Sequence, residues 1–81
     1  MSLTEAQLVM LAFIARYTAE HGYPPTLREL SEFVGSKYTN TGHTYVRALI
    51  AKGVITKTPT IARSLVLTDE GRRLLEGRPP A

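Results

Sequence analysis

The sequence predicts a mainly α-helical domain with a small β-hairpin. Two segments of the form Thr-x-x-Gln or Thr-x-x-Glu, at 4–7 and 26–29, each precede apolar residues at helical spacing. Segments 54–57 and 63–67 are rich in β-branched or alternating apolar residues and flank a proline, which predicts two short strands. The chain has 81 residues, of which 43% are hydrophobic and 21% charged, so it has room for one globular domain.

The first helix is expected to begin after Thr4, because the Thr4 hydroxyl and the Gln7 amide can satisfy each other's free backbone N–H groups. Gly22 and the two prolines that follow it end this helix. Its apolar residues cover a broad face, which predicts a buried scaffold helix. The residues expected on that face are Leu8, Val9, Met10, Leu11, Ala12, Phe13, Ile14 and Ala15.

The second helix is expected to begin after Thr26 and to end at Gly35, which suits a left-handed C-terminal cap. Its predicted buried stripe consists of Leu27, Leu30, Phe33 and Val34. After a polar turn, a third helix is expected over about 39–52. Its predicted buried face consists of Gly42, Val46, Leu49 and Ile50. Because glycine weakens a helix interior, Gly42 predicts that the second and third helices approach closely, near Leu30.

The predicted hairpin covers 54–67, with its tip at Thr58-Pro59-Thr60, and a short last helix follows Thr68. This order of elements is that of a winged helix-turn-helix, with a three-helix core, a two-stranded wing and a short C-terminal helix. We expect the domain to occupy residues 1–77 and residues 78–81 to form a flexible tail.

The positive charge is concentrated in one part of the chain. The formal net charge is +3, but no acidic residue stands between positions 36 and 68. The basic residues of this window are Lys37, Arg47, Lys52, Lys57 and Arg63, together with His43. Charge of a single sign is typical of a surface that meets a polyanion such as nucleic acid. A solvated basic face without a partner is the alternative interpretation.

The composition argues against several classes of protein. The chain has no cysteine, which excludes a disulfide framework, a thiolate zinc site and a cysteine nucleophile. His21 and His43 lack metal-ligand spacing, and the chain has no glycine-rich phosphate loop, so we expect no enzyme, no metal and no cofactor. The longest apolar run, 8–15, is too short to cross a bilayer, and no basic residue precedes it. We therefore expect a cytoplasmic protein without a membrane partner.

Several of these motifs together resemble the N-terminal DNA-binding domain of LexA repressors. They are Leu3-Thr4 before the first helix, Gly22-Tyr23-Pro24-Pro25-Thr26 before the second, and Leu49 with Lys52-Gly53-Val54-Ile55 after the third. The similarity runs over residues 3–67. It implies that the helix near Asn40 is a recognition helix and that Arg63 lies in the wing. LexA repressors commonly have acidic and small residues where His43 and Thr44 stand, which implies a different operator.

The predicted DNA-binding residues fall into two sets. The set expected to face bases is Tyr38, Asn40, Thr41, His43, Thr44 and Arg47. The set expected on the DNA backbone or in the wing is Lys37, Lys52, Lys57 and Arg63. Asparagine can bind adenine N6 and N7 with two hydrogen bonds, whereas a helix N-cap is the alternative role for Asn40. Lys57 and Arg63 could instead be ordinary charges on strand edges.

The predicted function is sequence-specific binding of double-stranded DNA by a transcriptional regulator, with 39–52 in the major groove and the wing 54–67 near the backbone or minor groove. The alternatives are a protein-interaction module and a DNA-binding domain excised from a longer repressor. LexA repressors also have a self-cleaving, dimerising C-terminal domain, for which this chain has no room. We therefore expect a weak or DNA-induced homodimer. Leu74 and Leu75 of the last helix lie either in its interface or against the first helix.

Overall fold

The computed structural model describes residues 3–58 and 60–76, and this part of the chain forms a winged helix-turn-helix, as predicted. Pro59 and the expected tail at 78–81 lie outside the described residues. The elements are α1 (Glu5–His21), α2 (Leu27–Phe33), α3 (Thr39–Ala51), β1 (Ile55–Thr56), β2 (Val66–Leu67) and α4 (Asp69–Glu76). Within the described part, none of the helices is long and apolar enough to cross a membrane.

Both predicted capping boxes are present. The Gln7 N–H donates to Thr4 Oγ1 at 3.1 Å, and the Thr4 N–H donates to Gln7 Oε1 at 3.0 Å. The Glu29 N–H likewise donates to Thr26 Oγ1 at 3.1 Å, while the Thr26 N–H donates to Glu29 Oε1 at 2.8 Å. Gly22 ends α1 in the left-handed conformation, with φ of 81°. Local hydrogen-bond chemistry therefore sets the boundaries of α1 and the start of α2.

The residue that caps the start of α3 is not Asn40, for which an N-cap role was the alternative to a base contact. The N-cap residue is Tyr38, whose side chain makes no capping hydrogen bond, and Asn40 lies inside the first turn of α3. The N-cap interpretation of Asn40 is therefore wrong.

One hydrophobic core joins the helices to the hairpin. Its buried residues are Met10, Leu11, Ile14, Leu30, Val46, Leu49, Val54, Ile55 and Leu65. Four residues expected to be buried are instead 38–42% exposed, namely Val9, Phe33, Val34 and Ile50. Ile50 lies about 80° around α3 from Gly42, at the rim of the buried face. The buried residues of the short helix α2 are Leu30 and Ser31, and Phe33 instead stacks on Phe13 at the surface, with ring centroids 4.0 Å apart.

The closest approach of α2 and α3 is at Gly42 and Ser31. The Gly42 N–H donates to Ser31 Oγ at 2.8 Å, and this buried hydroxyl lies 3.1 Å from the carbonyl oxygens of both Leu27 and Thr39. A Cβ atom on Gly42 would overlap the Leu27 carbonyl oxygen and lie 2.9 Å from Ser31 Oγ. The predicted close approach is confirmed, but the residues in contact are Leu27 and Ser31 rather than Leu30.

The hairpin is shorter than predicted. Its antiparallel strands have two residues each, with Ile55 opposite Leu67 and Thr56 opposite Val66. The predicted second strand does not begin at Arg63, because Arg63 has a left-handed backbone with φ of 56°. The Ser64 hydroxyl holds the loop instead, with Oγ 3.0 Å from the Thr58 carbonyl oxygen.

A group of polar contacts ties the wing to the helices; we call it the wing latch, and it consists of Glu29, Arg63, Tyr17, Tyr23 and the Pro24 carbonyl. Arg63 pairs with Glu29 through two hydrogen bonds, of 3.0 Å to Oε1 and 3.3 Å to Oε2. Arg63 Nη1 also lies 3.1 Å from the Pro24 carbonyl oxygen and 3.3 Å from the Tyr17 hydroxyl. The guanidinium carbon lies 4.7 Å from the centroid of the Tyr23 ring.

The wing latch keeps the Glu29 carboxylate ionised. The hydrogen bond from the Thr26 backbone N–H, followed by those from the Tyr17 hydroxyl and the Arg63 guanidinium, lowers the pKa of Glu29 from 4.5 to about 2. The Tyr17 hydroxyl donates to Glu29 Oε2 at 2.8 Å. The ionised carboxylate therefore stabilises the folded chain.

The last helix packs against the chain's own core. The Gly71 N–H donates to Thr68 Oγ1 at 3.1 Å, which confirms Thr68 as the N-cap. Leu74 and Leu75 are half-buried against the hydrophobic core, and α4 contacts α1. Of the two positions expected for these leucines, the one against the first helix is therefore confirmed.

Replacing Gly42 with valine is expected to lower the free energy of unfolding by about 2–3 kcal/mol, because the side chain would force α2 away from α3. Chemical denaturation followed by circular dichroism measures this loss. His43→Val is the matched control, since it places the same β-branched residue on the exposed face of α3 and is expected to cost only about 0.5 kcal/mol. A Gly42→Val variant as stable as the parent would contradict the close-approach argument.

Glu29→Gln is expected to flatten the acid dependence of stability. Because the pKa of Glu29 is lower in the folded chain than in the unfolded one, its contribution is complete above about pH 5.5 and is lost as the pH falls toward 2. After allowance for partial exposure of the pair, the parent should lose about 1–2 kcal/mol more than the variant between these limits.

Denaturation midpoints measured across this pH range provide the test. The matched control is Glu20→Gln, which removes an exposed carboxylate of α1 that takes no part in the wing latch, so the contribution of Glu29 should remain. A Glu29→Gln variant with the parental pH dependence would show that the carboxylate is not held ionised by these contacts.

Candidate nucleic-acid interface

Four of the residues predicted to face bases form one exposed strip on α3. Asn40, His43, Thr44 and Arg47 are all exposed. They lie about 100–200° around the helix from Gly42, on the side opposite the buried face. No acidic residue belongs to α3. The strip therefore presents amide, imidazole, hydroxyl and guanidinium groups without an opposing negative charge.

Thr41 does not belong to the exposed strip. It is half-buried on another side of α3, and its Oγ1 lies 2.7 Å from Ser36 Oγ. Thr44 also makes a local contact, since its hydroxyl donates to the Asn40 carbonyl oxygen at 3.0 Å, but it remains exposed. The placement of Thr41 points to a structural role in the turn rather than to a base contact.

The turn between α2 and α3 presents Lys37 and Tyr38 to solvent. Gly35 has φ of 80°, which only glycine adopts readily, and the Tyr38 N–H donates to Ser36 Oγ at 3.1 Å. Tyr38 is 66% exposed, and Lys37 Nζ lies 5.9 Å from the centroid of its ring. The Tyr38 ring therefore lies at the surface and not in the core. The turn and the uncapped start of α3 together form a positive rim beside the strip.

Lys57 and Lys52 lie at opposite sides of this region. Lys57 lines a crevice between the start of α2 and the wing, together with Ile61 of the wing tip. Lys52 is the C-cap residue of α3, about 18 Å along the helix from Asn40. Lys57 therefore lies in the wing beside α2, whereas Lys52 lies at the far end of α3.

Arg28 is a cation of this region that the sequence analysis missed. It is exposed on α2 and lines both the crevice beside Lys57 and a hollow beside Lys37 and Tyr38. The Arg28 side chain has no hydrogen bond or ion pair among the described residues. Glu32 is the one acidic side chain among the described residues that line these two cavities. The sequence feature that could have identified Arg28 is its position two residues after the cap Thr26, in the first turn of α2.

Arg63 is placed differently from the other predicted cations. Its guanidinium belongs to the wing latch, where the Glu29 carboxylate opposes its charge. The structure thus gives Arg63 a contact with Glu29 that the sequence analysis did not anticipate, and the predicted DNA contact of Arg63 stays a prediction. For metals, the described ranges contain no group of three histidine, aspartate or glutamate side chains that could hold an ion.

Comparison with known proteins identifies the family. Residues 1–64 match the LexA DNA-binding domain family. A LexA repressor of an Anaeromyxobacter species is 41% identical over 76 residues, which are 94% of this chain and 33% of that repressor. The LexA repressor of Limosilactobacillus fermentum is 40% identical over 72 residues, 89% of this chain and 35% of the repressor. That of Desulfatibacillum aliphaticivorans is 51% identical over 53 residues, 65% of this chain and 26% of the repressor.

The match extends over most of the elements described above, from α1 to the loop of the wing. The chain spans about a third of the length of the first of these repressors. Since the matched region of 64 residues exceeds half of the chain, the chain belongs to the LexA DNA-binding domain family.

Proposed function

We propose that this chain binds double-stranded DNA sequence-specifically as the DNA-binding part of a transcriptional regulator. The single observation that carries this proposal is the exposed strip of α3, which has hydrogen-bonding side chains and no acidic residue. On the opposite side, Gly42 and Ser31 hold α3 against α2. The family supports DNA as the partner, and the relatives' name, LexA repressor, favours repression.

In the proposed complex, α3 lies in the major groove, which is wide enough to admit a helix. Asn40 would bind adenine through N6 and N7, and Arg47, two turns further along, would bind guanine or a phosphate. His43 and Thr44 lie between them on the same strip and would contact neighbouring base edges. Thr41 is left out of this set because its hydroxyl is engaged with Ser36.

The proposed backbone contacts come from two places. Lys37 and Tyr38 would contact phosphates from the turn, since both are exposed beside the start of α3. Arg28 and Lys57 would contact phosphates from the crevice between α2 and the wing. Lys52 would contribute at the far end of α3. Electrostatic attraction of this kind positions the protein but carries no sequence information.

We also propose that two copies occupy an inverted repeat. One recognition helix reads only a few base pairs, and regulators of this type double their specificity with half-sites about one helical turn apart. Leu74 and Leu75 pack against the chain's own core, so the apolar edge of α4 is unsuited to joining two copies. A weak homodimer that forms on DNA fits this arrangement.

Selection from a random pool of DNA duplexes tests the function. The parent is expected to enrich an inverted repeat, and Asn40→Ala should lose the preference at one position of each half-site by about 1–3 kcal/mol, roughly 5- to 150-fold. Lys57→Ala is the matched control, because loss of a phosphate contact should weaken binding without changing the enriched sequence.

If the parent enriched no sequence, the proposal of specific DNA recognition would fail, and a protein-interaction module would be favoured. If Asn40→Ala retained the parental preference at every position, the assignment of Asn40 to a base would be wrong.

The affinity for DNA is expected to fall steeply with salt. Each phosphate neutralised should contribute about −0.9 to the slope of log K against log salt concentration, because bound counterions are released. Lys57→Ala and Arg28→Ala should each make the slope less negative by roughly one unit. Arg73→Ala serves as the control, since Arg73 lies on α4 and pairs with Glu70 at 3.1 Å. Fluorescence anisotropy titrations at several salt concentrations measure these slopes, and binding that is independent of salt would contradict the proposal.

A further inference from the structure

The wing cannot hold its position by its own hydrogen bonds. Each strand has two residues, and isolated two-stranded hairpins are at best marginally stable in water. Thr60 and Arg63 both have left-handed backbones, with φ of 64° and 56°, which disfavours a regular strand. Contacts from outside the hairpin must therefore fix the loop between β1 and β2.

The wing latch supplies such contacts from three neighbouring parts of the chain. Arg63 reaches Tyr17 of α1, the Pro24 carbonyl of the connection, and Glu29 of α2. The paired carboxylate and guanidinium make two parallel hydrogen bonds, and this geometry fixes direction as well as distance. In a regular strand, Arg63 would point to the same side as Leu65, whose side chain is buried. The left-handed backbone at Arg63 breaks that alternation.

We propose that the wing latch sets the wing in its DNA-binding position before DNA arrives, so that Arg63 is a positioning residue and makes no DNA contact. The inference rests on the proposed function and assigns a further role within it. Lys57 and Arg28 face the same crevice as Arg63, between α2 and the wing. The order of the wing before binding therefore sets the free-energy cost at which Lys57 and Arg28 bind phosphates at the same time.

Pre-positioning and direct phosphate contact predict different salt dependence. A cation on a phosphate releases counterions, so its removal makes the salt slope less negative by about 0.9. Arg63 is already paired with Glu29, so a positioning role requires no phosphate contact from it. Without Arg63, the wing would have to become ordered when DNA binds, and this cost would lower the affinity without changing the salt slope.

The experiment combines a double-mutant cycle with salt titrations. Binding of the duplex selected by the parent is measured for the parent, Glu29→Gln, Arg63→Gln and the double variant. Each single substitution is expected to weaken binding about tenfold, and the double variant should be no weaker than either, because both break the same contact. All slopes should equal the parental slope, while the Lys57→Ala slope becomes less negative by about 0.9.

Two further measurements separate positioning from general destabilisation. Thermal melting identifies any variant that is unfolded at the temperature of binding. Arg63→Lys keeps the charge and the fold but cannot make the bidentate pair, so it should bind DNA about as weakly as Arg63→Gln. In DNA-free Arg63→Lys, amide NMR shifts should change at 57–65 and remain parental in α3.

Three results of the binding measurements would overturn the inference. The first is a salt slope that becomes less negative by about 0.9 in Arg63→Gln, together with affinity that Arg63→Lys restores. The second is parental DNA affinity in both single variants. The third is a loss of affinity in the double variant that equals the sum of the two single losses. Parental amide shifts at 57–65 in Arg63→Lys would also overturn it. Failure of the parent to bind any duplex would instead overturn the proposed function and the inference together, so the two failures are distinguishable.

Discussion

The carboxylate of Glu29 is the group on which the arrangement of this small domain most depends. It accepts hydrogen bonds from the Thr26 backbone, the Tyr17 hydroxyl and the Arg63 guanidinium. One side chain thus starts α2, joins it to α1 and holds the loop of the wing. Each of these contacts favours the ionised carboxylate, so the three elements share one source of stabilisation. A chain of 81 residues has room for only a small core, so polar contacts shared between elements add to the stability that burial provides.

A second constraint fixes the direction of the recognition helix. The Gly42 N–H and the Ser31 hydroxyl bring the backbones of α2 and α3 into contact, at a place where a side chain on Gly42 would not fit. The exposed strip of Asn40, His43, Thr44 and Arg47 is the geometrical consequence, since it lies on the far side of α3. The glycine costs about 1 kcal/mol of helix stability, and the close packing of two helices offsets this cost.

Local chemistry made much of the fold predictable. The Thr4 and Thr26 capping boxes, the Gly22 cap and the periodic apolar residues each depend on neighbours within a few positions, and the corresponding boundaries are confirmed. The errors concern distant contacts. The exposure of Phe33 depends on which residues of the short helix α2 face the core, and the length of the strands depends on the backbone of Arg63. Neither can be read from local periodicity.

At the proposed interface, the sequence predicted which side chains face outward better than it predicted their hydrogen-bond partners. The outward position of Asn40 and Arg47 follows from helical spacing alone, because both lie opposite the Gly42 face. The engagement of Thr41 with Ser36 depends on the geometry of the turn, which the spacing of side chains along α3 does not specify. The same holds for Ser31, a buried polar residue whose hydroxyl accepts the Gly42 N–H across the two helices.

Charge counted along the chain also differs from charge presented on the surface. Arg63 belongs to the acid-free window 36–68, but Glu29 from outside that window pairs with it. Arg28 belongs to the more acidic half of the chain, yet the fold brings it beside Lys37 and Lys57. The surface proposed for DNA therefore gains one cation from the acidic half and loses one from the basic half. The basic window still indicates a polyanion as partner, because Lys37, Arg47 and Lys57 have no acidic partner among the described residues. Pairings between elements distant in sequence decide which of the cations are available to phosphates.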